Sequence, residues 1–187
     1  MDETSRGLMK DVIERYGFGD GTVVDMGSYD INGTYRDLIS GKYTGADIIS
    51  GPNVDVIVGS EEWDKIENVD AVIFGQTIEH VANIPGFMTE IYRVLKPGGI
   101  LCLIAPSEGP GHDYPIWVGN FPEERMTEVV SAGRFEILEI STNPIEPWKL
   151  VTCVARKPEL IMTLNGSKII GKGSFEMHTG KDEDEDI

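Results

Sequence analysis

A doubly wound α/β sheet with helices on both faces is the fold this sequence predicts, and three observations carry the prediction. Strand-like and helix-like apolar patterns alternate from residue 4 to about residue 154. Val69 to Phe74 is a continuous apolar run broken only by Asp70, as a strand covered on both faces should be. The apolar run Thr22-Val23-Val24 leads into Asp25-Met26-Gly27-Ser28. A buried strand that breaks on a glycine and turns toward a helix leaves backbone amides facing an open crevice.

The elements follow in order. Leu8, Met9, Val12, Ile13 and Tyr16 recur at the spacing of one helical face over 4–16. Thr4 or Ser5 would cap that helix and Gly17 would stop it. A strand at 22–26, the glycine turn and a short helix at 33–40 come next, with Tyr35, Leu38 and Ile39 facing inward. Strands are expected at 43–48 and 54–58. Gly51-Pro52-Asn53 leaves too few residues between them for a helical crossover, so the second is either antiparallel to its neighbour or a short edge piece. Phe87, Met88, Ile91, Val94 and Leu95 form a helical stripe, with Pro85 suited to its first turn. Lys96-Pro97-Gly98-Gly99 stops it, and Ile100 to Ala105 is the next buried strand. After an irregular stretch at 106–121, a helix over 122–132 and strands at 135–140 and 150–154 complete the pattern.

Composition narrows the function. A chain of 187 residues is most economically one domain, here 1–157, followed by a tail at 158–187 that loses periodicity and ends in Asp182-Glu183-Asp184-Glu185-Asp186. That tail reads as solvated and disordered, and as a place where a protein partner would bind. The net charge is -16, of which the tail holds -4. Acidity so evenly spread would repel phosphate backbones, which argues against long nucleic acid and for a small molecule or a protein partner. No apolar run approaches a membrane span, and Met1-Asp2-Glu3 lacks the basic start of a signal segment, so a cytoplasmic location is expected. Cys102 and Cys153, each inside an apolar run, read as buried inert thiols, and no metal-binding set is visible.

The crevice carries two acids. Asp25 sits at the glycine bend, and Asp47 ends the next strand-like run about 20 residues on, where a ribose-binding carboxylate is expected. The missing third glycine argues against a dinucleotide, so the pair reads as a nucleoside-cofactor site.

These residues, in this order, resemble the class I S-adenosylmethionine-dependent methyltransferases, in particular the methyltransferase type 11-like members. The matching text is Val23-Val24-Asp25-Met26-Gly27-Ser28-Tyr29-Asp30-Ile31-Asn32-Gly33, Tyr43-Thr44-Gly45-Ala46-Asp47, Gly51-Pro52-Asn53-Val54-Asp55-Val56, Val69-Asp70-Ala71-Val72-Ile73-Phe74, Ile78-Glu79-His80-Val81 and Tyr92-Arg93-Val94-Leu95-Lys96-Pro97-Gly98-Gly99. The resemblance implies a Rossmann-like seven-stranded sheet whose last strand is antiparallel, so that 135–140 and 150–154 form a hairpin. It also implies S-adenosylmethionine as cofactor and methyl transfer to a small-molecule or saccharide-like acceptor. The alternative is a non-catalytic binding or scaffold protein on the same fold. Two departures bear on that choice. Ser28 and Tyr29 replace the middle of the usual compact glycine loop, and Gly59-Ser60 stands after the third strand where such proteins often place an acid.

The cofactor site implied comprises Asp25, Gly27, Ser28, Asn32, Asp47, Ile48, Gln76 and His80. Asp25 would orient the loop or receive the cofactor's amine, Gly27 would let it approach the backbone, and Asp47 would take the ribose hydroxyls. Arg36 is placed either to pair with the cofactor carboxylate or to face solvent, and His80 either to line the pocket or to serve the core. The stretch 107–121, with His112, Asp113, Tyr114, Trp117 and Phe121, is the expected acceptor surface. Within it His112 and Asp113 are the candidate catalytic base for an acceptor that must lose a proton.

Overall fold

The computed structural model describes residues 3–111, 116–145, 148–164 and 167–171. The element order is α1 (Glu3–Tyr16), β1 (Thr22–Met26), β2 (Lys42–Asp47), β3 (Val56–Ile57), α2 (Glu61–Asp64), β4 (Val69–Gly75), α3 (Ile84–Val94), β5 (Leu95–Pro106), α4 (Glu123–Ala132), β6 (Glu136–Thr142), β7 (Leu150–Arg156), β8 (Leu160–Leu164) and β9 (Ser167–Gly171). Single 3₁₀ turns occur at Arg36–Leu38 and Ile78–His80.

Seven strands form one sheet in the order β3-β2-β1-β4-β5-β7-β6. Neighbours from β3 to β5 are parallel, and β7 runs antiparallel to both β5 and β6. The antiparallel last strand and its hairpin with β6 agree with the expected fold. Side chains alternate between the two faces with the period of a strand. Val24, Met26, Val72, Phe74, Leu101 and Leu103 pack with Met88, Ile91, Met126 and Val130 from α3 and α4. On the opposite face, Val23, Ala71, Ile73, Cys102, Ile104 and Val154 pack with Met9, Val12 and Ile13 from α1. Both cysteines are buried and free.

The order of strands puts the site where the chain reverses direction. From β1 it steps outward to β2 and β3, then returns to β4 on the other side, which opens a crevice at the carboxyl ends of β1 and β4.

Several elements differ from expectation. The helix expected at 33–40 is a single 3₁₀ turn. Asp30-Ile31-Asn32-Gly33 contains poor helix formers, Gly33 sits at φ 122°, and Tyr35 is drawn under the sheet edge, its hydroxyl 2.6 Å from Ser5 Oγ. Ser5 is therefore a buried partner of Tyr35 inside α1. The strand after Gly51-Pro52-Asn53 proves to be two residues long and parallel to β2, the edge-piece alternative. Lys96 bonds Asp70, and Gly98 N donates to Lys157 O at 2.8 Å, so the Lys-Pro-Gly-Gly stretch is the opening of β5 itself, which follows α3 directly. In the expected tail, β8 and β9 pair with each other as an antiparallel hairpin. Leu160-Ile161-Met162 and Ile169-Ile170 are β-favouring. The acidic stretch 182–186, with the partner expected there, lies outside the described residues. No helix among the described residues is long and apolar enough to cross a membrane.

Candidate functional site

The crevice begins at Gly27, whose φ of +74° turns the chain off β1. A Cβ there would collide with the Thr77 side chain, whose hydroxyl donates to Met26 O at 3.2 Å. The glycine thus lets β1 and the residues after β4 close on each other. Gly27 N and Ser28 N both donate to Ala46 O, at 2.8 and 3.2 Å. Beneath the bend is a cavity of about 90 Å³ lined by Asp25, Gly27, Ser28, Tyr29, Asn53 and Gln76, among others.

Asp25 is 4% exposed. Burial pushes its carboxyl up to about 7, against a hydrogen bond that Tyr43 Oη donates at 2.5 Å and the positive charge of Arg36. The same pairing and burial push the Tyr43 hydroxyl well above its ordinary range. Asn53 Nδ2 donates to Tyr43 Oη and to Ser28 O, both at 2.9 Å. Arg36 lies over the Tyr43 ring at 4.3 Å, and donates to Asn53 Oδ1 and Asp55 Oδ2, each at 2.7 Å. One polar network therefore ties the glycine loop to the β2–β3 connection.

Asp47 closes β2. Its Oδ2 accepts from Tyr29 N at 3.1 Å and its Oδ1 from Ile48 N at 2.7 Å. This places the second carboxylate against the glycine loop.

Across the crevice, the Ile78–His80 turn follows β4. Gln76, at φ 58°, lines the cavity and donates its backbone N–H to Ile104 O at 2.8 Å. His80 Nδ1 lies 2.6 Å from Ile116 O, and its ring centroid 6.0 Å from that of Trp117. Glu79 is 1% exposed, its Oε2 has no hydrogen-bond partner among the described residues, and burial pushes its carboxyl up to about 8. Its carbonyl accepts from Val118 N at 2.9 Å.

A methyltransferase-domain family model matches residues 17–103, from the end of α1 into β5. A probable S-adenosylmethionine-dependent methyltransferase of Mycolicibacterium smegmatis is 33% identical over 76 residues, which is 37% of this chain and 30% of that protein. The chain thus matches about a third of the length of this curated relative. Among solved structures, 1,6-didemethyltoxoflavin-N1-methyltransferase of Burkholderia thailandensis superposes with a TM-score of 0.67 at 18% identity, covering 84% of this chain and 80% of that one. An S-adenosylmethionine-dependent methyltransferase of Methanosarcina mazei gives 0.61 at 16% identity, over 79% and 97% of the two chains. Residues 17–103 match the methyltransferase-domain model, and the chain shares its fold with these methyltransferases.

Of the cofactor residues expected from sequence, the fold brings Asp25, Gly27, Ser28 and Gln76 together on one cavity. Ser28 is buried, and its hydroxyl donates to Asn53 O at 3.2 Å. Asp47 and the exposed Ile48 stand at the rim, joined to the loop through Tyr29. Asn32 is exposed and, with His80, lies outside the residues that line the cavity. His80 instead secures the segment at 116–118. Arg36 is engaged by Asn53 and Asp55 rather than turned to a ligand.

On the acceptor side, His112 and Asp113 lie outside the described residues. Phe121, expected on the acceptor surface, is fully buried in the core, where Arg125 covers its ring at 4.1 Å. Its N–H donates to Pro106 O at 2.7 Å, so it closes the base of the segment instead of lining it. Sequence reading missed Trp148. A Cβ on Gly109 would collide with its ring, Ser107 Oγ donates to Lys149 O at 2.6 Å, and Lys149 pairs with Glu108 at 2.7 Å. The end of the β6–β7 connection therefore packs against the residues that follow β5. It becomes visible only once β6 and β5 are known to end at the same edge. Tyr43, Asn53 and Glu79 were given no role either, although all three stand within the stretches that carry the family resemblance. Among the described residues no group of three or more His, Cys, Asp or Glu is placed to hold a metal ion.

Proposed function

We propose that this domain binds S-adenosylmethionine across the ends of β1, β2 and β4 and transfers its methyl group to a small-molecule or saccharide-like acceptor. The observation that carries the reading is the buried Asp25 on a small cavity beneath the Gly27 bend, with Asp47 held beside it by the same loop. The donors and acceptors suit the cofactor. A carboxylate 4% exposed, with a hydroxyl on one oxygen, suits a cationic amine in a cavity of about 90 Å³, large enough for the amino-acid end of the molecule. Asp47 retains a lone pair beyond its three backbone partners and would accept from ribose hydroxyls.

When bound, the cofactor supplies a methyl group on a sulfonium. The rest is alignment and exclusion of water by this chain. An acceptor would sit against the described residues after β5 and before β7, where Trp117 and Trp148 supply aromatic surface. His112, with Asp113, would take the proton from an acceptor hydroxyl or amine as the new bond to carbon forms. The Burkholderia thailandensis neighbour, solved with S-adenosylhomocysteine and 1,6-didemethyltoxoflavin, supports a small acceptor by analogy.

A non-catalytic binding protein is the second reading, favoured by Arg36 being spent on Asn53 and Asp55. Titration calorimetry with S-adenosylmethionine and S-adenosylhomocysteine separates the two. Binding of both supports the enzyme; binding of neither leaves the scaffold.

A further inference from the structure

We propose that the segment following β9 docks on its own domain, with Phe175 and Met177 seated in an apolar groove between α3 and α4 and Glu176 paired with Arg134. The groove shares no lining residue with the cavity beneath the glycine bend, so the inference stands apart from the cofactor reading.

The groove has a volume of about 210 Å³. Ile84, Pro85 and Met88 line it from α3, Val129 and Ala132 from α4. A Cβ on Gly133 would collide with Met88 Cε, so α4 ends close against α3. Apolar surface left open between two helices gains free energy when it is covered.

Arg134 stands at the end of the groove. Its guanidinium lies over the Tyr92 ring at 4.8 Å, and Lys157 Nζ lies 4.5 Å from the same ring. Lys157 donates to the carbonyls of Tyr92 and Leu95, at 2.6 and 2.7 Å. Burial and then the charge of Arg134 lower its pKa. Two cations thus share one ring, and neither pairs with a carboxylate among the described residues. Arg93 and Arg156, their neighbours in the chain, do pair, with Glu90 and Glu136. What this corner lacks is an anion.

The segment after β9 supplies both needs. Gly171 is the register partner of Leu160, which comes three residues after Lys157, so the chain leaves β9 close to the paired cations. Met177 is six residues farther on, a reach of about 20 Å when extended. Glycine aside, the stretch 172–186 is polar except for Phe175 and Met177. At a spacing of two, an extended chain turns both to one face, and Glu176 between them brings a carboxylate. A tethered segment meets its site at roughly millimolar effective concentration, so a weak contact is enough to hold it.

Disulfide trapping in the full chain tests this. Ala132→Cys in the groove is combined with Thr179→Cys, two residues past Met177, and glutathione disulfide supplies the oxidant. Cys102 and Cys153 are buried and stay out of the reaction. The intrachain bond should form at least about tenfold faster than when Lys10→Cys replaces Ala132→Cys, the gain expected of a docked over a free tether. Lys10 is exposed on α1, which packs on the opposite face of the sheet from α3 and α4. Phe175→Asp should bring the rate down to that of the Lys10 pair, and Arg134→Glu should slow it about threefold, the scale of an exposed ion pair. Circular dichroism checks that each variant folds. Equal rates for the Ala132 and Lys10 pairs overturn the proposal, as does a rate that Phe175→Asp leaves unchanged. A bond that forms only between two chains also overturns it, and gives the groove to a second copy.

Discussion

The two halves of the crevice are built by different means. The half at the ends of β1, β2 and β3 is a polar network among residues 25–55: Asp25, Tyr43, Asn53, Arg36 and Asp55 are linked in sequence, and Asp47 is tied to Tyr29. The half at the ends of β4, β5 and β6 is made of packing between distant segments. Trp148 covers Gly109, Trp117 covers Gly111, and His80 holds Ile116. The lesson is that charge and hydrogen bonding among neighbours in the chain build the side of the crevice at β1 and β2. Aromatic packing, part of it across long sequence separations, builds the other.

That contrast can be broken by variants on each side. The largest effect is expected at Asp25. Asp25→Asn keeps the shape but removes the charge facing a bound amine, and should weaken S-adenosylhomocysteine about a hundredfold, near the upper end for a charge-assisted hydrogen bond. Unchanged affinity by calorimetry would move the amine elsewhere. Asp47→Ala comes next, with a loss of about tenfold or more at intact fold. Full affinity there would remove the ribose contact.

Trp148→Ala probes the other half. It should cost stability of about 1–2 kcal/mol, because Trp148 is half-buried against Gly109, yet leave S-adenosylhomocysteine affinity within about twofold. A large loss of cofactor affinity would mean that the halves are not independent.

The smallest effect is a slope. Burial raises the carboxyls of Asp25 to about 7 and of Glu79 to about 8, so the folded protein keeps protons that the unfolded chain releases from about pH 4–5 upward. Their contribution is present at acid pH and is lost as pH climbs through 7 and 8. Denaturant midpoints should fall over that range, and Glu79→Gln should flatten part of the fall. An equal slope in both proteins would show that Glu79 is ionised throughout.

Much of this was legible in the residues. The continuous Val69 to Phe74 run marked β4 because a strand covered on both faces has no polar face to reveal. The glycine bend and the paired acids were legible because their geometry is local. The turn at 36–38 was not, because a helix there was overridden by Tyr35 reaching Ser5 on α1, a contact across 30 positions. Phe121 looked like an acceptor residue by its neighbours in the chain, and its burial followed from where Pro106 and Arg125 were brought.

By itself, then, the sequence determined the alternation of layers, the break after β1 and the two acids beside it, since each depends on periodicity or on residues within one turn. Only the tertiary structure decided that Arg36 serves Asn53 and Asp55, that Tyr29 stands on Gly51 and that Trp148 covers Gly109. Those contacts depend on which strand lies beside which. Strand order is settled by packing of the whole chain, a quantity no local pattern contains.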